Sequence, residues 1–373
     1  MDKDKFQKIN LNYEKFLNTL KINETSFKFS NQSYLESSFG LCFAVFGYHL
    51  LANQKFLKDN KKELTEKIKN NFDNFYNLHK SQLDFSLKDK KVLQLFCFSL
   101  SALSILDENR NNRYFHELIE KVINIDLNIF FKKNMIFEGH PTSGNLSMFI
   151  AIILIYADNY LGLDIKSKIE YWIECHLKNI NSNGVWSQDK NFSYKHFQNS
   201  YHQYEIFNYL NIETKYENLI AKKILQLKDT NSQFAPYLGG GSCYDYDAIF
   251  FLTNKFTLQN DEIKKTINKN MEYIMNNQND DGGFGERLYK KHDISFYQNI
   301  EYSLKNYQGI KEKLLFCLIL LRKKNKLMFS AFDNTGKTWF ESSLWDSWFR
   351  MLTINKIYKN KKSFINFPGI GYY

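Results

Sequence analysis

The run Gln278-Asn-Asp-Asp-Gly-Gly-Phe284 most constrains what this chain can fold into. A helical pattern ends at Gln278, a turn follows on Asp280, Asp281, Gly282 and Gly283, and Phe284 returns an aromatic ring to the interior. Related turns stand at Asn183-Gly184-Val185-Trp186, Ser232-Gln233-Phe234 and Gly336-Lys337-Thr338-Trp339. They recur about fifty residues apart, and such a period marks a repeat architecture in which each unit buries its apolar face on the next. Three of the four place Gly shortly before the aromatic, as a helix C-cap requires.

Between these turns almost everything reads as helix. Apolar residues at three- and four-residue spacing predict helices near 10–20, 33–53, 61–79, 90–106, 113–131, 144–160, 165–180, 200–210, 213–227, 243–254, 261–277, 295–306, 309–324 and 343–357. One kind is Lys/Glu-rich on one face, such as 166–177. The other is apolar nearly all round, such as 95–106, 149–156 and 248–252, the mark of a buried helix. Only 3 Pro and 16 Gly punctuate 373 residues, too few for an all-β protein of this length. The pattern predicts an all-α fold, a single α/α toroid domain over residues 1–373 with about six helical hairpins in inner and outer rings.

The turn at Gln278–Phe284, with partial copies at Trp186 and Trp339, resembles the Gln…Gly-x-Trp/Phe repeat of the terpenoid cyclase and protein prenyltransferase α/α-toroid superfamily. The resemblance covers about the C-terminal half. It implies the fold and, as an expectation, an enzyme whose aromatic-lined cavity takes an anionic or polyprenyl-type small molecule. Glycan-active toroids (uronic-acid lyases, epimerases, uronyl hydrolases) and non-catalytic binding or scaffold toroids share the architecture, so fold alone does not choose among them.

A net charge of +10 favours anionic partners by long-range attraction, or reflects a solvated lysine-rich surface. Asn, Lys, Ile, Phe and Tyr are over-used together, which reads as an AT-rich bacterial genome. The lysines are scattered and no nucleic-acid motif accompanies them, so nucleic acid is not an expected partner. Five separated cysteines, none in a CxxC pair, argue against disulfides and thiolate zinc. The N-terminus has no apolar signal region, and the apolar run 148–156 is too short to span a bilayer, so a cytoplasmic location is expected.

Candidate chemistry lies where inner helices begin. Four Ser-x-x-acid/amide patterns, Ser33–Glu36, Ser200–Gln203, Ser242–Asp245 and Ser343–Asp346, fit capping boxes. That reading stands beside a substrate-binding or catalytic one for Glu36, Asp245 and Asp346, and Arg350 sits at ion-pair spacing from Asp346. If Asp245 caps, Asp247 shares a face with Tyr244, Ala248 and Phe251, where a carboxyl would stay protonated and serve as a general acid. The segment Asp245-Tyr246-Asp247-Ala248 resembles the Asp-x-Asp-Asp acid motif of class II terpenoid cyclases, with Ala248 in place of the last Asp. Prenyltransferase zinc, by the same resemblance, needs Asp-x-Cys and a later His. Cys243 precedes Asp245, so neither metal nor other cofactor is expected.

Two further groups carry polar chemistry. His140, in the turn Gly139-His140-Pro141 before an apolar helix, with Asn145 close by, stands at a cavity mouth or is a structural turn residue. Tyr201, His202 and Glu205 share a helix face, with Glu205 placed to orient His202. Such a set suits β-elimination or epimerisation beside a carboxylate, or is a polar first turn. Trp345, Trp348 and Arg350 form the last cluster, able to stack on a substrate and hold an anion, or to act as an aromatic core seam with an Asp346–Arg350 pair.

Overall fold

The structure, a computed structural model, describes residues 3–107, 113–189, 192–288, 296–306, 338–359 and 367–369, with 310 and 314. In chain order the helices are α1 (Lys3–Thr19), α2 (Ser38–Leu50), α3 (Gln54–Asp59), α4 (Lys61–His79), α5 (Lys90–Ile105), α6 (Glu117–Ile123), α7 (Leu127–Lys133) and α8 (Pro141–Asn159). There follow α9 (Lys166–Lys178), α10 (Tyr194–Tyr209), α11 (Glu217–Leu225), α12 (Ser242–Leu252), α13 (Asp261–Asn276), α14 (Phe296–Asn306) and α15 (Leu344–Lys359). A short antiparallel ribbon, β1 (Lys21–Asn23) and β2 (Ser26–Phe27), is the sheet among the described residues.

Among the described residues, six helices, α2, α5, α8, α10, α12 and α15, are buried nearly all round, whereas α1, α4, α7, α9, α11 and α13 each bury one stripe. The difference follows from sequence. In α13 the buried residues Ile263, Thr266, Asn270, Met271 and Ile274 recur at helical spacing amid lysines, whereas Leu146–Ala157 of α8 offers almost no polar face. Such a β-branched run forms a helix because burial outweighs its modest intrinsic propensity.

Contacts divide the chain into two compact units. The first holds Met1–Asn53 and Ile220–Lys361, with α15 packed between α2 and α12 and covered by α1 and α13. The second holds Gln54–Leu219 and Lys362–Tyr373, with α8 packed between α5 and α10 and covered by α6 and α9.

The expected repeat is present as one turn built three times. The amide of Asn181, Asp229 or Asn279 donates to the carbonyl of the residue four on (3.0, 2.9 and 3.0 Å). The amide three on donates back to its carbonyl (2.9, 3.0 and 2.9 Å). That third residue is left-handed in each: Gly184 at φ 81°, Ser232 at 60° and Gly282 at 87°. Phe85 and Met135 are left-handed at 54° and 49°, extending the period of roughly fifty residues back through the second unit. The aromatics that follow the three turns, Trp186, Phe234 and Phe284, are fully buried. Gln278 stitches its turn to α1: its Nε2 donates to the carbonyls of Gly282 (2.8 Å) and Ile9 (3.1 Å), and Asn12 Nδ2 donates to its Oε1. A Cβ on Gly282 would meet the Asn12 carbonyl oxygen at 2.1 Å. Gly282→Ala should therefore cost about 2 kcal/mol or more, while Ser232→Gly should gain about 0.5–1 kcal/mol by removing a left-handed side chain. Urea unfolding of the two variants checks both signs.

Boundaries differ from the sequence reading where caps compete. The helix expected from 33 starts at Ser38, because the Ser37 hydroxyl accepts the Gly40 amide at 3.0 Å. The 113–131 pattern breaks in two because Asp126 accepts the amides of Asn128 (2.9 Å) and Ile129 (3.0 Å), opening α7. The helix expected from 200 begins at Tyr194, capped by a box between Ser193 and His196. Gly336 and most of 309–324 lie outside the described residues.

Under α8 and α9 a closed polar network joins two core layers. Trp172 Nε1 donates to Ser147 Oγ (3.0 Å), which donates to His176 Nε2 (2.8 Å); His176 Nδ1 donates to the Trp172 carbonyl (2.7 Å). The carbonyl can only accept, so Nδ1 carries the proton and the ring is neutral. Burial pushes the His176 pKa down to about 3.

Candidate functional site

Each repeat turn is pinned to the next core helix by one polar side chain. The amide of the anchoring aromatic donates to Ser200 Oγ from Trp186 (3.3 Å), to Asp245 Oδ1 from Phe234, and to Ser347 Oγ from Phe284 (2.8 Å). Asp245 is thus the charged form of a position that is Ser in the other two repeats. Its second oxygen accepts from Arg350 Nη1. Arg350, fully buried, also reaches Gln233 Oε1 (3.3 Å) and donates through Nη2 to the Glu286 carbonyl (2.7 Å). Burial raises the Asp245 pKa to about 7, while the Arg350 guanidinium and the Phe234 amide pull it down.

This arrangement corrects two expected pairings. The N-cap of α12 is Gly241, and Asp245 acts across to the turn and to α15 rather than back on its own helix start. Ser242 Oγ instead donates to Asp346 Oδ1 at 2.6 Å. Arg350 turns to Asp245 instead of completing an i,i+4 pair with Asp346, whose Oδ2 accepts from Ser343 Oγ at 2.7 Å. Of the four expected boxes, the one at α15 comes closest, with the Asp346 amide donating to Ser343 Oγ at 3.2 Å. Glu36 is exposed and precedes α2, whose N-cap is Ser37.

Around the start of α12 the first unit gathers groups that sequence reasoning passed over. Tyr237 Oη donates to Glu286 Oε1 at 2.5 Å, and both residues are buried. Half-buried Tyr244 and Trp339 pack edge-on against the Tyr237 ring, at 6.4 and 4.4 Å between centroids. The Arg287 guanidinium lies 4.8 Å from the Trp339 ring and 5.4 Å from that of Tyr237. Asp247 is 2 % exposed, between Tyr246 and Ala248, each wholly buried. Trp345 is half-buried against Phe43 (5.6 Å) and Phe349 (4.6 Å).

The second unit places its candidates at the other polar cluster. His140 is the exposed N-cap of α8, its Nδ1 accepting the Thr142 amide at 3.3 Å, which fits the structural-turn reading. Its pKa is lowered by desolvation and then by Lys195 and Lys90, which stand at the starts of α10 and α5. Asn145 is half-buried in the first turns of α8. On α10, Glu205 does not orient His202. Its Oε2 accepts from Tyr201 Oη (2.8 Å) and its Oε1 from the Gly369 amide (3.0 Å). His202 Nδ1 donates to the Gln198 carbonyl at 2.7 Å, and burial pushes its pKa down to about 3. Donation to a carbonyl places the proton of the neutral ring on Nδ1.

The model of the prenyltransferase alpha-alpha toroid domain matches residues 66–292, more than half of the chain. The chain belongs to this family. Comparison with the curated proteins and with the solved structures finds no match. The toroid family accounts for the alternation of core and covering helices and for the repeated turn. Among the described residues no cluster of three or more His, Cys, Asp or Glu is placed to hold a metal ion, and no helix is long and apolar enough to cross a membrane.

Gln233, Glu286 and Arg287 were missed because each sits in a turn and contacts groups distant in sequence. Gln233 and Glu286 lie one residue before and two residues after the anchor aromatics Phe234 and Phe284. Their repeat position was the available signal.

Proposed function

We propose that this prenyltransferase/cyclase-like toroid is an enzyme acting on a polyprenyl-type small molecule, with the Asp247 carboxyl as proton donor. The observation that carries the reading is a division of labour between the two carboxylates of Asp245-Tyr246-Asp247-Ala248. Asp245 is committed to the Phe234 amide and to Arg350, at a repeat position where other helices use Ser. The repeat gives no such reason for a second acid two residues on, yet Asp247 is buried in a helix of aromatic and aliphatic neighbours. Burial favours the protonated form of a carboxylic acid, which is the form a proton donor needs.

The donor step is simple. The Asp247 proton adds to one carbon of a terminal alkene, the π electrons form the new C–H bond, and a tertiary carbocation remains at the other carbon. The ring of half-buried Tyr244, in the first turn of α12, suits such a cation. For an anionic partner the support is separate: Lys90 and Lys195 at the starts of α5 and α10, where helix dipoles add positive potential.

Asp247→Asn should lower turnover of a linear polyprenyl substrate by about 10²–10⁴-fold, the usual weight of a general acid, with the melting temperature unchanged. Product formation by mass spectrometry beside a thermal melt decides it. Undiminished turnover in that variant would remove Asp247 from the mechanism.

A further inference from the structure

Phe367-Pro368-Gly369 is a buried segment without regular secondary structure, seated against three core helices of the second unit. The Phe367 ring is fully buried, edge-on to Tyr156 of α8 (6.2 Å, 84°) and to Tyr160 (5.8 Å, 60°). The Gly369 amide donates to Glu205 Oε1 of α10 at 3.0 Å, across 164 residues of chain. Gly369 has φ 115°, and a Cβ there would meet Ile152 Cδ1 of α8 at 3.2 Å and Ser101 Oγ of α5 at 3.3 Å. Three successive repeats thus each contribute a contact.

The chemistry is that of peptide recognition. A ring enters an aromatic slot, a proline brings no amide that needs a partner, and a glycine lets the backbone come close enough for a carboxylate to read its N–H. Glu205 is wholly buried, and its other oxygen is already taken by Tyr201 Oη. The Gly369 amide is thus a donor to a buried carboxyl group, and losing it costs a buried hydrogen bond. A carboxylate held for a backbone amide from elsewhere in the chain is a ligand-type contact.

We propose that the second unit carries a peptide-binding site for an aromatic-Pro-Gly segment, lined by α5, α8 and α10, and that residues 367–369 of this same chain fill it. The site is separate from the Asp247 chemistry proposed for the first unit.

A version stopping at Lys361 should bind a labelled synthetic peptide of residues 362–373 saturably in fluorescence anisotropy. The full chain, its site filled, should bind the peptide about tenfold or more weakly, as should the shortened chain offered a Phe367→Ala peptide. A shortened chain with native circular dichroism and no peptide binding would overturn the proposal, as would equal binding to both chains. Should shortening prevent folding, hydrogen exchange on the full chain decides. The Gly369 amide should exchange at least about a hundredfold slower than in the free peptide, and Phe367→Ala should abolish that protection. Exchange at the free-peptide rate in the unaltered chain would refute the site.

Discussion

Arg350→Met should destabilise the first unit by about 3–5 kcal/mol, the range for stripping one partner from a buried ion pair. The variant leaves the Asp245 carboxyl, the Gln233 amide oxygen and the Glu286 carbonyl without a shared donor, all inside the core. The cost should also depend on pH. Burial already raises the Asp245 pKa to about 7, so below neutrality the folded carboxyl is largely protonated with or without Arg350. Above it, the native protein can ionise Asp245 against the guanidinium, whereas the variant must keep the carboxyl neutral at growing expense. The deficit is therefore larger at about pH 8.5 than at about pH 6. Asp245→Asn alone strands the cation and should cost a similar amount. The double variant should recover part of the loss, giving a coupling energy in a double-mutant cycle. Urea unfolding at the two pH values measures all three; additive single losses would show that the pair is not coupled.

The second large effect is acid lability of the second unit. His176 and His202 both have pKa values pushed down to about 3 by burial, against about 6.5 in an unfolded chain. The unfolded state takes up these two protons first as pH falls. The stabilisation is complete above about pH 6.5 and is lost progressively through the window down to about pH 3. Two such groups give a slope of about 2.7 kcal/mol per pH unit between pH 4 and 6, enough to consume an ordinary folding free energy within that interval. His116 and His140, also lowered, add in the same direction. His176→Gln and His202→Gln should each reduce the slope by about 1.4 kcal/mol per pH unit. Unfolding free energies in urea at half-unit steps test this, and a slope unchanged by either substitution would remove that histidine from the account.

The all-α class and the repeat were readable in advance because both rest on local signals, namely helical spacing of apolar residues and turns with a left-handed position before an aromatic. The turn at Asp229–Phe234 was the faintest copy, since Ser232 holds the left-handed position that glycine marks elsewhere. The Asp245–Arg350 pair was not readable. Spacing offered Asp346 as Arg350's partner, while the real one lies 105 residues away on α12. The same limit misled the reading of Glu205, whose neighbour on the helix face was His202 but whose actual donors are Tyr201 and Gly369. His140, in its Gly/Pro turn, caps α8 through Nδ1. Helix-face geometry ranks neighbours within one element; partners across elements depend on how the repeats stack.

The pin between each turn and its core helix has one further consequence. It spans 14 residues from Trp186 to Ser200 and 11 from Phe234 to Asp245, but 63 from Phe284 to Ser347. The contact is the same in each case, so the repeat is held by its two anchor points and is indifferent to how much chain runs between them. Lengthening a loop costs only a logarithmic entropy term. The stretch between Phe284 and Ser347 is therefore a port where new sequence can be added without disturbing the register of the two anchors.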